Sequence, residues 1–164
     1  MKKYWEKFWA WYDRHFYLNL AVTTILFLFQ LTHLYWLFTD IILLRLTGHS
    51  YFHISRTIGY LIVAVDYIEI PVMVSAIILY ISLLRKQFSW KNLWLLVFLN
   101  IHWLHLFWIT DDIVVQTLNQ QKGLFHWTGI IAWFAILIDY LEIPIMIDTV
   151  RMLYQETKKI LAKN

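Results

Sequence analysis

The most constraining feature of this sequence is a pair of nearly identical motifs that place acidic residues inside long apolar segments. Residues 66–73 read DYIEIPVM, and residues 139–146 read DYLEIPIM. Each motif carries two carboxylates three positions apart, a spacing that puts both on one face of a helix. An acid at membrane depth is costly and marks a functional site by default. Two such motifs in one small chain therefore predict a symmetric, buried polar site.

The chain as a whole is apolar enough that we predict an integral membrane protein. It has 164 residues, 60% of them hydrophobic, and its mean hydropathy is +0.56. Four apolar runs, at 16–39, 57–84, 93–110 and 124–147, each approach the ~20 residues that cross ~30 Å of hydrocarbon. We therefore predict an all-α fold, a four-helix bundle that spans a membrane and contacts its lipid.

The distribution of basic residues predicts how this bundle is oriented. Eleven of the fourteen Lys and Arg residues lie in the N-terminal segment, the middle loop and the C-terminal segment. Because basic residues accumulate on the cytoplasmic side, both termini are predicted to be cytoplasmic. This asymmetry also accounts for the basic pI, so we do not infer a nucleic-acid partner. The absence of cysteine excludes disulfides, thiolate metal sites and iron–sulfur centres.

An internal repeat organises the chain. Residues 33–36, HLYW, recur 72 positions later as HLFW at 105–108, and the acidic motifs are 73 positions apart. We predict an interfacial amphipathic segment at 1–15, a first repeat at 16–88, a second repeat at 89–155 and a cytoplasmic tail at 156–164. Since each repeat holds two spans, both repeats insert in the same direction, and the pseudo-twofold axis should follow the membrane normal.

At a helical rise of about 1.5 Å per residue, the polar residues of the four helices lie at similar depths in the membrane. The predicted metal ligands are His33, Asp66, Glu69, His105, Asp139 and Glu142. Four carboxylates in a low-dielectric core repel one another unless protons or cations neutralise them, and two divalent ions would balance their charge. Imidazole and carboxylate ligands suit iron, manganese or zinc. The ligand count matches that of carboxylate-bridged di-metal bundles, although their Glu-x-x-His pattern is absent.

Further residues surround this predicted site. His102 lies three positions before His105, whereas Gln30 takes the matching place in the first repeat. His102 is therefore either a ligand or an outer partner on one side only. Four residues, Asp40, Asp112, His53 and His126, form a possible outer rim, for which interfacial packing or helix capping is the better interpretation. The predicted pocket residues are Trp36, Trp108, Tyr67 and Tyr140.

Prolines mark both acidic motifs. Pro71 and Pro144 each follow a Glu by two positions. A proline inside a helix removes one hydrogen bond and frees the carbonyl four residues earlier. A kink beside the acids would widen the core, although transmembrane helices also tolerate proline without any functional role.

Some of these residues resemble the four-helix membrane family of emopamil-binding protein and the sigma-2 receptor. His33 followed by Asp40, and Glu69 followed by Pro71, resemble that family's pattern, and His102 fits it loosely. The resemblance implies four membrane helices with cytosolic termini, and buried acids that move protons on a sterol or hold an amine. It would give those roles to His33, Asp40 and Glu69. The doubled acidic motif is a departure from the family.

Several functions remain open from the sequence. The leading prediction is a metalloenzyme, an oxidoreductase or hydrolase, that acts on a lipid or another hydrophobic small molecule. The first alternative is a divalent-cation or proton transporter, which with only four helices requires a homodimer or larger assembly. The second is a metal-free acid–base isomerase or sterol- or amine-binding protein. A haem held by His33 and His105 would leave the four acids without a role. A purely structural role is a further alternative, but buried acids without basic partners contribute little to helix packing.

Overall fold

The computed structural model describes residues 2–49, 56–108, 110, 111, 114, 115, 121–124 and 129–162. Side chains at positions 2, 40, 56–59, 62, 63, 66 and 129–132 are outside this description. All regular structure within the described ranges is helical, which confirms the all-α prediction. The principal helices are α1, Lys2–Arg14; α2, Phe16–Trp36; α3, Leu43–Thr47; α4, Arg56–Lys86; α5, Trp90–Trp108; α6, Gly129–Tyr140; and α7, Glu142–Leu161.

A π-helical segment, Leu37–Ile42, joins α2 to α3 without a break. The combined helix ends at Gly48, whose φ of 74° is left-handed and therefore suits a residue without a side chain. Hydrogen bonds in a π-helix run to the fifth residue, so its turns are wider than those of an α-helix.

The long helices form a four-cornered bundle. Helix α2 packs against α4 and α7, and α5 packs against α4, α6 and α7. Helices α2 and α5 therefore occupy opposite corners, and α4 faces the α6–α7 pair across the other diagonal. Apolar side chains from each long helix fill the core, including Phe27, Leu34, Val72, Ala76, Leu99, Ile136 and Ile145.

The two proline-bearing helices differ. Helix α4 runs continuously through Pro71, whereas the second repeat is interrupted at Leu141, whose N–H bonds to the Ile138 carbonyl at 2.9 Å. Pro144 follows three positions later and has no N–H to offer the carbonyl of Tyr140. The interruption at Leu141 separates Asp139 in α6 from Glu142 in α7.

Helix α1 packs across one end of the bundle, called here the α1 end. The Lys86 Nζ atom is 2.7 Å from Asp13 Oδ1, and the Arg85 guanidinium lies 4.1 Å from the centre of the Trp9 ring. Both contacts join α1 to the last turn of α4. The amphipathic N-terminal helix is therefore attached to the bundle by charged and cation–π contacts.

The bundle has an apolar exterior and a partly polar interior. Large apolar side chains from several helices are exposed, among them Ile25, Phe29, Leu61, Ile68, Trp94, Leu104, Phe134 and Ile147. Buried polar residues include Thr23, Thr24, Gln30, His33, Glu69, His102, His105, Asp139, Glu142 and Thr149. A soluble domain rarely exposes large apolar patches.

Two described helical stretches, Phe16–Thr47 and Tyr67–Lys86, are long and apolar enough to cross a membrane. They correspond to the first two predicted spans, and the first continues eight residues beyond the predicted limit of 39. The predicted spans at 93–110 and 124–147 both include residues outside the described ranges. The latter is also divided at Leu141.

Candidate metal centre

Three ligand-type side chains meet in a group that we call the distal group because it lies farther from α1. It consists of His33 from α2, His105 from α5 and Asp139 from α6, all of them buried. His105 Nδ1 is 2.9 Å from Asp139 Oδ1, and His33 Nε2 is 3.5 Å from Asp139 Oδ2. The three ligand atoms lie within 4.8 Å of one another, so the group could hold a metal ion.

A second group, called here the proximal group, lies about one helical turn closer to the α1 end. It consists of Glu69 from α4, His102 from α5 and Glu142 from α7, which are also buried and within 4.8 Å of one another. His102 Nε2 is 3.8 Å from Glu142 Oε1. This group too could hold a metal ion.

The orientation of His102 is set by its own helix. Its Nδ1 atom is 2.9 Å from the carbonyl oxygen of Phe98. Because a carbonyl can only accept, Nδ1 must carry the proton, and in the neutral ring Nε2 keeps its lone pair. Histidines that bind metals commonly use their other ring N–H in this way. In that neutral form His102 presents an unprotonated nitrogen to the two carboxyl groups.

The distances of 2.9 and 3.5 Å in the distal group are close to those between ligands that share an ion, and the 3.8 Å in the proximal group is somewhat longer. His105 Nδ1 forms no aligned hydrogen bond despite its 2.9 Å approach to Asp139. Ligands bonded at 2.0–2.2 Å to one ion are separated from one another by about 3.0–3.5 Å, with their lone pairs directed at the ion. His102 Nε2 and Glu142 Oε1 likewise have no hydrogen-bond partner among the described residues.

Equivalent residues of the sequence repeat meet one another in these groups. His33 and His105 contribute to the distal group, where their ring centroids are 6.2 Å apart. Glu69 and Glu142 both contribute to the proximal group. Electrostatic interactions join the groups, since Glu142 interacts with both Asp139 and His33. The two groups thus form one continuous centre along the middle of the bundle.

A tryptophan flanks each distal histidine with nearly the same geometry in both halves. The Trp36 ring centroid is 5.9 Å from that of His33 at 49°, and Trp108 is 5.7 Å from His105 at 45°. Both indole Nε1 atoms are buried without a hydrogen-bond partner among the described residues. These N–H groups are donors that a bound oxygen ligand could use, since buried donors normally have a partner.

Most of the predicted ligands are brought together. Five of the six, His33, Glu69, His105, Asp139 and Glu142, lie in the two groups, and the side chain of Asp66 is outside the described part of the structure. His102, predicted as a ligand or an outer partner, belongs to the proximal group itself. Its spacing of three from His105 was the signal available in the sequence.

The remaining predicted residues are placed less centrally or fall outside the description. The Tyr67 hydroxyl is 2.6 Å from Thr110 Oγ1, so this side chain reaches toward the chain beyond α5. Tyr140 packs against the apolar core. The rim residues His53, Asp112 and His126 lie outside the described residues, as does the side chain of Asp40.

Comparison of the chain with protein-family models, curated proteins and solved structures finds no match. The resemblance to the emopamil-binding protein family therefore stays a prediction. Conclusions about function have to rest on the geometry and chemistry of the site itself.

Proposed function

We propose that this chain is a membrane-embedded metalloprotein that holds two divalent ions in its four-helix bundle and acts on a hydrophobic substrate. The observation that carries the proposal is the pairing of two buried three-ligand groups in one centre. Burying histidines and carboxyl groups together is costly unless their charges are compensated. Two divalent cations would compensate them and would use the ligand atoms as they are arranged.

The ligand set indicates the kind of ion. The distal group supplies two imidazoles and one carboxylate, and the proximal group supplies two carboxylates and one imidazole. Two histidines and one carboxylate form a common site for non-haem iron and for catalytic zinc. Oxygen-rich sites also suit manganese. Iron, manganese and zinc are therefore the ions to test.

The exterior of the bundle supports a membrane location. Two stretches are long and apolar enough to cross a bilayer, and exposed apolar side chains occur on all the long helices. In our proposal α5 and the α6–α7 pair supply the remaining two spans, and both termini are cytoplasmic. Substrate would then reach the centre from the lipid phase.

Hydrolysis and oxidation both remain compatible with this centre. Bound divalent ions polarise substrate oxygens and lower the pKa of bound water, and iron or manganese adds redox chemistry. The indole N–H groups of Trp36 and Trp108, which are buried without a described partner beside His33 and His105, would hydrogen-bond an oxygen atom of the substrate. The substrate class is therefore a hydrophobic molecule that carries a polar oxygen function, such as a lipid.

Metal titration of the full-length protein in detergent tests the proposal. We expect protein stripped with a chelator to bind two equivalents of Fe²⁺, Mn²⁺ or Zn²⁺, one for each ligand group. Glu142→Gln should lose one of them, whereas the control Glu6→Gln, at an exposed position of α1, should bind as the native protein does. Folded protein that binds none of these ions would overturn the proposal.

A second measurement separates an enzyme from a carrier. Metal-loaded protein should convert members of a panel of hydrophobic esters or lipids, with products followed by mass spectrometry. Vesicles containing the protein should show no saturable uptake of labelled cation above empty vesicles. Uptake without conversion would instead favour the transporter alternative.

A further inference from the structure

The proximal group uses three of the four corners of the bundle. Glu69 comes from α4, His102 from α5 and Glu142 from α7. The remaining corner belongs to α2, which packs between α4 and α7. Helix α2 supplies none of the three described ligands of this group.

Gln30 is the α2 residue at this level. It lies three positions before His33, as His102 lies three positions before His105, so each pair shares one face of its helix. At 1.5 Å per residue, Gln30 is about 4.5 Å closer to the α1 end than His33. Because His33 and His105 meet across the bundle, Gln30 and His102 occupy equivalent heights on opposite corners.

The side chain of Gln30 is buried and incompletely bonded. Only 2% of its surface is exposed, and its Nε2 atom has no hydrogen-bond partner among the described residues. A buried amide donor without a partner is costly, because it has lost its hydrogen bonds to water without gaining others. An amide in this position is therefore explained best by a ligand that accepts its N–H.

We infer that Gln30 faces an exchangeable coordination position of the proximal ion and donates its amide N–H to the small ligand bound there. This inference rests on the proposed function. The repeat would place a histidine here, and a fourth protein ligand would close the site. Catalytic metal sites keep one position open, whereas structural sites close it. Gln30 stands where the second motif has His102, and it thus leaves room for water or for a substrate oxygen.

Two variants separate an open position from a closed one. Gln30→His supplies the ligand that the second repeat has, and Gln30→Glu supplies a carboxylate in nearly the same volume. Gln87→His makes the first substitution at an exposed loop position and serves as the matched control. All are prepared as full-length chains and loaded with Co²⁺, whose visible absorption reports its coordination.

Azide, a small anion that occupies open metal positions, is the probe. In the native protein and in Gln87→His, azide should change the Co²⁺ spectrum in a saturable manner. In Gln30→His the part of the response that comes from the proximal ion should disappear, and Co²⁺ should bind there at least about tenfold more tightly because a ligand has been gained. Gln30→Glu should lose the same part of the response, which keeps the test decisive if the histidine variant does not fold.

The possible failures are distinguishable. Native protein that binds no Co²⁺ contradicts the proposed function and, with it, this inference. Native protein that binds two Co²⁺ but does not respond to azide overturns the inference alone. An azide response that persists unchanged in a folded Gln30→His or Gln30→Glu variant also overturns it, because the position would then lie elsewhere.

Discussion

At the scale of single residues, His102 carries the clearest chemical information. His102 Nδ1 donates its hydrogen bond to the Phe98 carbonyl at 2.9 Å, which in the neutral ring leaves Nε2 with a lone pair beside Glu142. Two lone pairs facing each other in a buried site repel unless a cation or a proton lies between them. A metal ion is one arrangement that satisfies both atoms and also uses Glu69.

Replacing this histidine should affect one ion selectively. We expect His102→Gln to weaken metal binding at the proximal group by more than about 100-fold, since even outer-shell changes cost 10–100-fold. Binding at the distal group should persist, so the stoichiometry measured by calorimetry should fall from two to one. The control His15→Gln removes an imidazole on the surface near α1. Unchanged stoichiometry in a folded His102→Gln variant would argue against the proximal ion.

Much of the centre is predictable from the sequence because its residues are periodic. The acids recur at a spacing of three within a repeat, and His33 and His105 recur between the repeats. The sequence does not fix the role of His102, because it does not show which ring nitrogen hydrogen-bonds to the backbone of its own helix. That choice depends on the backbone hydrogen bond to Phe98.

At the scale of helices, the interruption at Leu141 sets the relation between the two acids of the second repeat. Asp139 ends up in the distal group and Glu142 in the proximal group. In the sequence a kink and a tolerated proline are both open at Pro71 and Pro144, because each removes the same hydrogen bond. The backbone of α4 nevertheless continues through Pro71, a difference in packing that composition does not reveal.

Removing Pro144 should therefore stabilise the helix and weaken the metal site. Pro144→Ala restores an N–H for the Tyr140 carbonyl and raises helix propensity, a change of up to about 3 kcal/mol. We expect a higher midpoint of thermal unfolding together with weaker metal binding, because straightening would shift Glu142 relative to Asp139. Pro71→Ala, in the continuous helix, is the matched control. Native metal affinity in Pro144→Ala would show that the interruption is not needed for the site.

The attachment of α1 should depend on pH through Asp13. Its hydrogen bond from Lys86 holds the pKa of this carboxyl below its usual range. A lowered pKa means that ionised Asp13 favours the attached state. That contribution is present above the ordinary pKa of Asp, about 3.9, and is lost as pH falls through the lowered value.

A spin label can follow this detachment, because the native chain contains no cysteine. The label is placed at Ala10→Cys, an exposed position of α1. Its mobility should rise as the pH is lowered from 6 to about 2, below the ordinary pKa of Asp. In an Asp13→Asn background the mobility should already be high and should change little with pH. Identical titrations in both backgrounds would contradict a role for this ion pair.

At the scale of the whole molecule, hydropathy predicted the helical class of the chain but not the continuity of its helices. The π-helical segment Leu37–Ile42 extends the first helix and has no signature in composition, because it arises from a shift in backbone hydrogen bonding. The internal repeat, the membrane orientation and the family resemblance stay predictions. The meeting of His33 with His105, and of Glu69 with Glu142, is what a twofold arrangement would produce.

Orientation can be tested with single cysteines. Gln87→Cys lies in the loop between α4 and α5, and Gln121→Cys lies at the opposite end of the bundle; both positions are exposed. In intact cells, a membrane-impermeant thiol reagent should label position 121 and spare position 87. In inverted vesicles the pattern should be reversed, since the basic loop is expected to face the cytoplasm. Labelling of position 87 from outside would reverse the proposed orientation.

The metal content of the protein as isolated from membranes tests the central claim most directly. The full-length chain is purified in detergent without chelators beside the double variant Asp139→Asn/Glu142→Gln, and both are analysed by plasma mass spectrometry. We predict about two equivalents of iron, manganese or zinc per native chain, one for each ligand group, and loss of both in the variant. Folded native protein that carries none of these metals, and takes up none when they are supplied, would contradict the account.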